Sequence, residues 1–132
     1  MTSEDPRTAN PLPRRLSAWT GAALLLNLVI FAIGNAAGAT WEVDAPVTIG
    51  PVPVAATTVL AMGLGGLVVI AITRRNERLR SIAARAGLIF AVVSAPSPFL
   101  VSSDPTSSVA LASMHVVTGV AWFLWLREPR TR

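Results

Sequence analysis

The chain has 132 residues, 52% hydrophobic and 14% charged, with eleven Arg, no Lys, seven acids and a net charge of +4. A nucleic-acid binder spreads its basic residues over a wet surface. Here they fall in tight clusters between long uncharged stretches, which argues against nucleic acid and for a small integral membrane protein. With no Cys there is no disulfide framework, no thiolate metal site and no thiol redox relay.

Residues 1–15, with Pro6, Pro11 and Pro13 among polar neighbours, read as a disordered cytoplasmic tail. The uncharged gaps 16–41, 45–73, 86–103 and 105–126 each hold one transmembrane helix, because a bilayer core of roughly 30 Å needs about 20 apolar residues. The expectation is an all-α, integral membrane four-helix bundle over 16–126, with spans near 16–40, 52–73, 81–101 and 107–126. A cytoplasmic tail, 127–132, follows. Arg14 and Arg15 before an apolar run that ends in Ala37-Gly38-Ala39 also fit a cleavable signal, but the run is longer than a signal's apolar core of about 7 to 15 residues. It is read as a span.

Orientation follows from positively charged flanks, which stay on the cytoplasmic side during insertion. All eleven Arg lie before span one, between spans two and three, or after span four; with Glu4, Asp5, Glu77 and Glu128 that side carries +7. Glu42, Asp44 and Asp104 leave the other side at −3. Both termini are therefore expected in the cytoplasm. Trp19, Trp41, Trp122 and Trp125 fall at span ends, where Trp favours the headgroup level. Arg74, Arg75, Arg78 and Arg80 are expected against anionic lipid headgroups.

Helices in lipid meet where small residues let backbones approach and where polar side chains find partners. At about 100° per residue, Thr20, Ala23, Asn27, Gly34 and Gly38 share a face of span one, and Thr58, Ala61 and Gly65 one of span two. Gly87, Ala91, Ser94 and Pro98 align on span three; Ser108, Ala112, His115, Gly119 and Trp122 align on span four. Gly34, Gly38, Gly65 and Gly119 are the candidate packing face, used within the bundle or against a second copy.

Asn27 stands 12 residues from Arg15 and His115 stands 12 from Arg127, so both lie about 18 Å from the basic ends of their helices. Spans one and four are expected to be neighbours, with Asn27 and His115 paired directly or through water, because an unpaired polar group there is costly. A lone His without a membrane carboxylate reads first as a neutral packing residue and second as a proton carrier or ligand. In span three, Ser94, Pro96 and Pro98 mark a helix break, with a serine hydroxyl covering freed carbonyls. The proline-rich 41–53 connection is read as an extended piece that caps the bundle mouth, and Glu42, Asp44 and Asp104 as solvated acids.

Trp41-x-Val43 with Pro46, Pro51-Val52-Pro53, the span-two glycines, the Arg-rich turn, Ser97-Pro98, and Met114-His115 with Gly119 resemble the actinobacterial membrane proteins of domain of unknown function 6069. The resemblance covers about residues 14–126 and implies a four-helix bacterial membrane protein; it carries no activity to transfer.

No catalytic constellation, metal-ligand set or cofactor motif is visible, so an enzyme is not expected. The first functional reading is a structural or interaction component of the cell membrane, in contact with the bilayer and with a second copy or another membrane protein. The alternative is a small-molecule or ion transporter or channel with a polar path near His115 and Asn27.

Overall fold

A computed structural model describes residues 11–73 and 76–129. It contains α1 (Pro11–Ala36), α2 (Pro51–Val59), a π-helical stretch (Leu60–Leu64), α3 (Gly65–Thr73), α4 (Glu77–Ser94), α5 (Pro98–Val101) and α6 (Pro105–Arg127). α2, the π stretch and α3 form one continuous helix, and α4 and α5 another across a short break. The chain is thus an all-α bundle of four helical segments, each long and apolar enough to cross a membrane. One end, the basic end, gathers the start of α1, the turn before α4 and the end of α6. The acidic end gathers the connections after α1 and α5.

Local chemistry moves the helix limits from those expected. α1 begins at Pro11, inside the expected tail, because the first helical turn needs no N–H and proline's fixed φ suits it. It ends at Ala36 rather than near 40. Gly38 takes φ +86, its N–H donates to Asn35 O (3.1 Å), and Ala39 N–H reaches back to Gly34 O (2.9 Å), the Schellman pattern that stops a helix. α4 begins early because the Asn76 side chain accepts from Arg78 N–H (3.0 Å) and Leu79 N–H (3.1 Å) as an N-cap. Residues 1–10, Arg74, Arg75 and 130–132 lie outside the described residues, and with them part of both expected tails and two of the four headgroup arginines.

α6 packs against α4 on one side and α1 on the other. Toward α4, Gly119 lies so close to Ala91 that a Cβ there would overlap the Ala91 methyl. Toward α1, Ala110 stands 3.3 Å from where a Cβ on Gly34 would be. Trp125, expected at the interface, is 0% exposed and packs among Leu16, Ile70, Ala84 and Leu126.

The second segment departs from the expected face. Val54, Thr58, Met62, Gly66 and Ile70 are buried, every fourth residue, and Ala61 is exposed. A regular α-helix drifts by about 40° at each four-residue step, and the wider turn at Leu60–Leu64 absorbs that drift, keeping the row on one side. Of the four candidate packing glycines, three lie against other side chains of the chain and one, Gly38, sits at a helix end. Gly34 packs on Trp41, Gly65 on Trp122 (3.4 Å from a built Cβ) and Gly119 on Ala91, all within the chain. Gly38 is exposed and serves as the stop of α1.

A Gly119→Val substitution should lower stability by about 1–3 kcal/mol, the usual cost of overpacking, or more if α4 cannot give way. Gly21→Ala, in the interior of α1 where a Cβ meets nothing within 4 Å, should not destabilise and should gain up to about 1 kcal/mol. Unfolding midpoints in mild detergent compare the two; equal midpoints would show that the α4–α6 seam does not limit stability.

Candidate functional site

Three segments bring polar side chains together midway along the bundle. Asn27 on α1 is 2% exposed, and its Nδ2 donates to Thr58 Oγ1 (2.9 Å) and Thr118 Oγ1 (3.0 Å). Thr58 in turn donates to Val54 O (2.8 Å) and Thr118 to Met114 O (2.9 Å). Each threonine accepts from the amide and passes its own proton to a carbonyl one turn back. Reversing the amide would set its oxygen against two hydroxyls whose protons are already committed, so the donors face the threonines. Asn27 Oδ1 is buried and has no partner. Apolar layers close the cluster on both sides: Ala39, Trp41, Val54, Ala110 and Met114 toward the acidic end, Ala23, Met62 and Ala121 toward the basic end.

The expected Asn27–His115 pair is therefore replaced. His115 Nδ1 lies 2.8 Å from Leu111 O, within its own helix, and the ring is half-buried. Equal depth places two residues at one height but says nothing of the direction each faces. Thr118 lies about 60° around α6 from His115 and is the residue turned to α1. Thr118 was not singled out from the sequence; the signal available was that a membrane-buried Asn needs partners and that threonines lie within a turn of its depth. Spans one and four are neighbours as expected.

The helix break also gains a role. α4 stops at Ser94, whose hydroxyl donates to Ala91 O (3.1 Å). Pro96 occupies the turn, and the buried Pro98 opens α5, its carbonyl accepting from Ser108 of α6 (3.3 Å).

At the acidic end Asp104 caps α6. Its carboxylate accepts from the Ser107 hydroxyl at a short distance, from Thr106 N–H (3.0 Å), Ser107 N–H (3.1 Å) and Thr40 N–H (2.9 Å). The Ser107 hydroxyl first, then the Thr40 N–H, outweigh partial desolvation and lower its pKa to about 2. This corrects the expectation of a solvated acid. The connection after α1, expected as an extended piece, forms bends over 44–47 and is bound by hydrogen bonds, with Trp41 N–H on Ser107 Oγ (2.9 Å), Asp44 N–H on Val101 O (2.7 Å) and Ser102 Oγ on Glu42 O (2.8 Å). Trp41 takes φ 60, a region disfavoured for a bulky side chain. Its ring lies on Gly34, stacks on Phe31 (4.6 Å) and donates to Asn35 Oδ1 (3.2 Å), so it is drawn inward from the expected interfacial site.

At the basic end Arg80 is 5% exposed, not spread on headgroups. It donates to Glu128 O (2.7 Å), a carbonyl just past the end of α6 that the helix ladder leaves open. The Glu128 carboxylate accepts from Trp19 Nε1 (2.8 Å) and pairs with Arg15 (3.3 Å). Of the four headgroup candidates, Arg78 is the one described and exposed. Among the described residues no group of three or more His, Asp and Glu is placed to hold a metal ion.

The model of a family of unknown function, DUF6069, matches residues 7–132. No curated protein and no solved structure matches the chain.

Two measurements test this geometry. A double-mutant cycle of Asn27→Ala with Thr118→Val should give a coupling of about 0.6–1.7 kcal/mol, the range for membrane-buried hydrogen bonds. Asn27→Ala with His115→Leu should be additive; coupling only in the second cycle would restore the His115 pair. For Asp104, the lowered folded pKa means stabilisation present above the unfolded value near 3.8 and lost as pH falls toward about 2. Stability of the wild type should therefore drop over that acid window. Asp104→Asn should remove this component, and an unchanged pH profile in the variant would refute the cap.

Proposed function

Since the chain belongs to the family of unknown function DUF6069, its own geometry has to carry a functional reading, and we propose a structural or interaction component of a bacterial cell membrane. The observation that carries this reading is the closed interior. The mid-bundle polar groups bond to one another and lie between two apolar layers, with Met62 and Ala23 fully enclosed on the basic side. A bundle of this kind acts through its surface and through fixed orientation. The one-sided arginines support insertion with both termini in the cytoplasm, and the Arg-only, Ala-rich composition suits a GC-rich actinobacterial genome.

A transport role is the second reading. It is favoured by the π stretch beside the polar cluster and by the unpartnered Asn27 Oδ1, since π turns and membrane-buried polar groups recur at functional sites.

Reconstituted full-length protein in liposomes loaded with a pH-sensitive dye should pass protons and potassium no faster than empty liposomes. Crosslinking in native membranes should trap a discrete oligomer or adduct. Flux that Asn27→Leu abolishes, or recovery of monomer alone, would overturn the proposal.

A further inference from the structure

We propose that Nε2 of His115 anchors a lateral site for a neutral, membrane-soluble hydrogen-bond donor such as a phenol or quinol hydroxyl. The first support is the tautomer. Leu111 O can only accept, so the Nδ1 that lies 2.8 Å from it carries the proton and Nε2 presents a lone pair. No hydrogen bond to Nε2 occurs among the described residues, and the ring is half-buried rather than enclosed.

The second support is position. On α6, His115 lies between the face that meets α4, marked by Gly119 on Ala91, and the face that meets α1, marked by Thr118 on Asn27. The segment that should cover this side leans on α1 with α2 and reaches α4 with α3, so it diverges from α4 toward the acidic end. His115 stands in that diverging half. Two turns toward the basic end on the same face, Trp122 fills the space between Gly65 and Gly87 and donates to Ala83 O (3.0 Å).

The chemistry of the site selects the ligand. His115 lies about 18 Å from the basic end of α6, deep in the hydrocarbon, where an ion would need a counter-charge. Residues 16–41, 45–73 and 86–103 of the neighbouring segments and 105–126 of its own carry none. A neutral group is required, it must donate because Nε2 only accepts, and it must carry an apolar body to arrive laterally through lipid. An acceptor left unmet at this depth is costly, so a donor has a ready partner.

His115 is the chain's single histidine, so a ¹⁵N-imidazole label reports on this one site. The full chain is placed in phosphatidylcholine nanodiscs, whose headgroup has no donor, and titrated with 4-pentylphenol. The expected result is a neutral ring protonated at Nδ1 whose Nε2 resonance shifts saturably. The methyl ether of the same phenol, lacking the donor, should bind about tenfold more weakly, the worth of one hydrogen bond. A ¹⁹F-labelled phenol should show the same saturable binding to wild type and lose it with His115→Leu, whose folding is checked by circular dichroism. A ring protonated at Nε2, a non-saturating shift, or equal binding of phenol and ether would overturn the site. A shift that appears without probe as protein is concentrated would assign Nε2 to a second copy and equally overturn it.

Discussion

The bundle depends on α6 being gripped from two sides at distances that ordinary side chains would not permit. In lipid there is little hydrophobic drive for helices to associate, and close contact between small residues supplies dispersion in its place. Gly119 against Ala91 brings α4 in; Ala110 beside Gly34, with Ala121 and Ala23 in one cluster, brings α1 in. The helix that contacts both neighbours is also the most enclosed of the four. The large side chains then fill what the small ones leave: Trp122 between Gly65 and Gly87, Trp125 among Leu16, Ile70 and Ala84.

Polar chemistry fastens the same pair of helices at three heights. Asp104 at the start of α6 accepts from Thr40 just past α1, Thr118 in its middle accepts from Asn27, and Glu128 past its end takes Trp19 and Arg15. The two ends face water or headgroups, where such contacts are worth little singly. The middle one lies where no water competes, so its loss leaves buried groups unmet. The third segment is fastened at its extremes, by Arg80 to the C-terminus of α6 and by Pro98 O to Ser108. The second relies on Thr58 and on the tight fit of Gly66 against Leu16.

This arrangement bears on function. Polar groups that bond to each other between apolar layers join the helices that carry them. The departures from that closed order are local: a π stretch next to the cluster, an amide oxygen with no partner, and a half-buried imidazole bonded through Nδ1 to its own helix. They lie within about two turns of one another in depth.

Composition and charge spacing by themselves determined that the chain forms four membrane-length helices and that the third breaks near Ser94–Pro98. Those features rest on lengths and on proline's missing N–H, which are local properties. Helix ends were legible only in part, since the Gly38 stop and the Asn76 cap are local signals that hydropathy averages away. What only the tertiary structure decided is azimuth. Depth from a charged flank gives height, but the direction a side chain faces depends on accumulated rotation, and one wide turn at Leu60–Leu64 shifts the buried row from Ala61 to Met62. For the same reason Asn27 met Thr58 and Thr118 rather than His115, and Arg80 and Trp125 turned inward, because which neighbour occupies each direction is settled by the packing of all four segments at once.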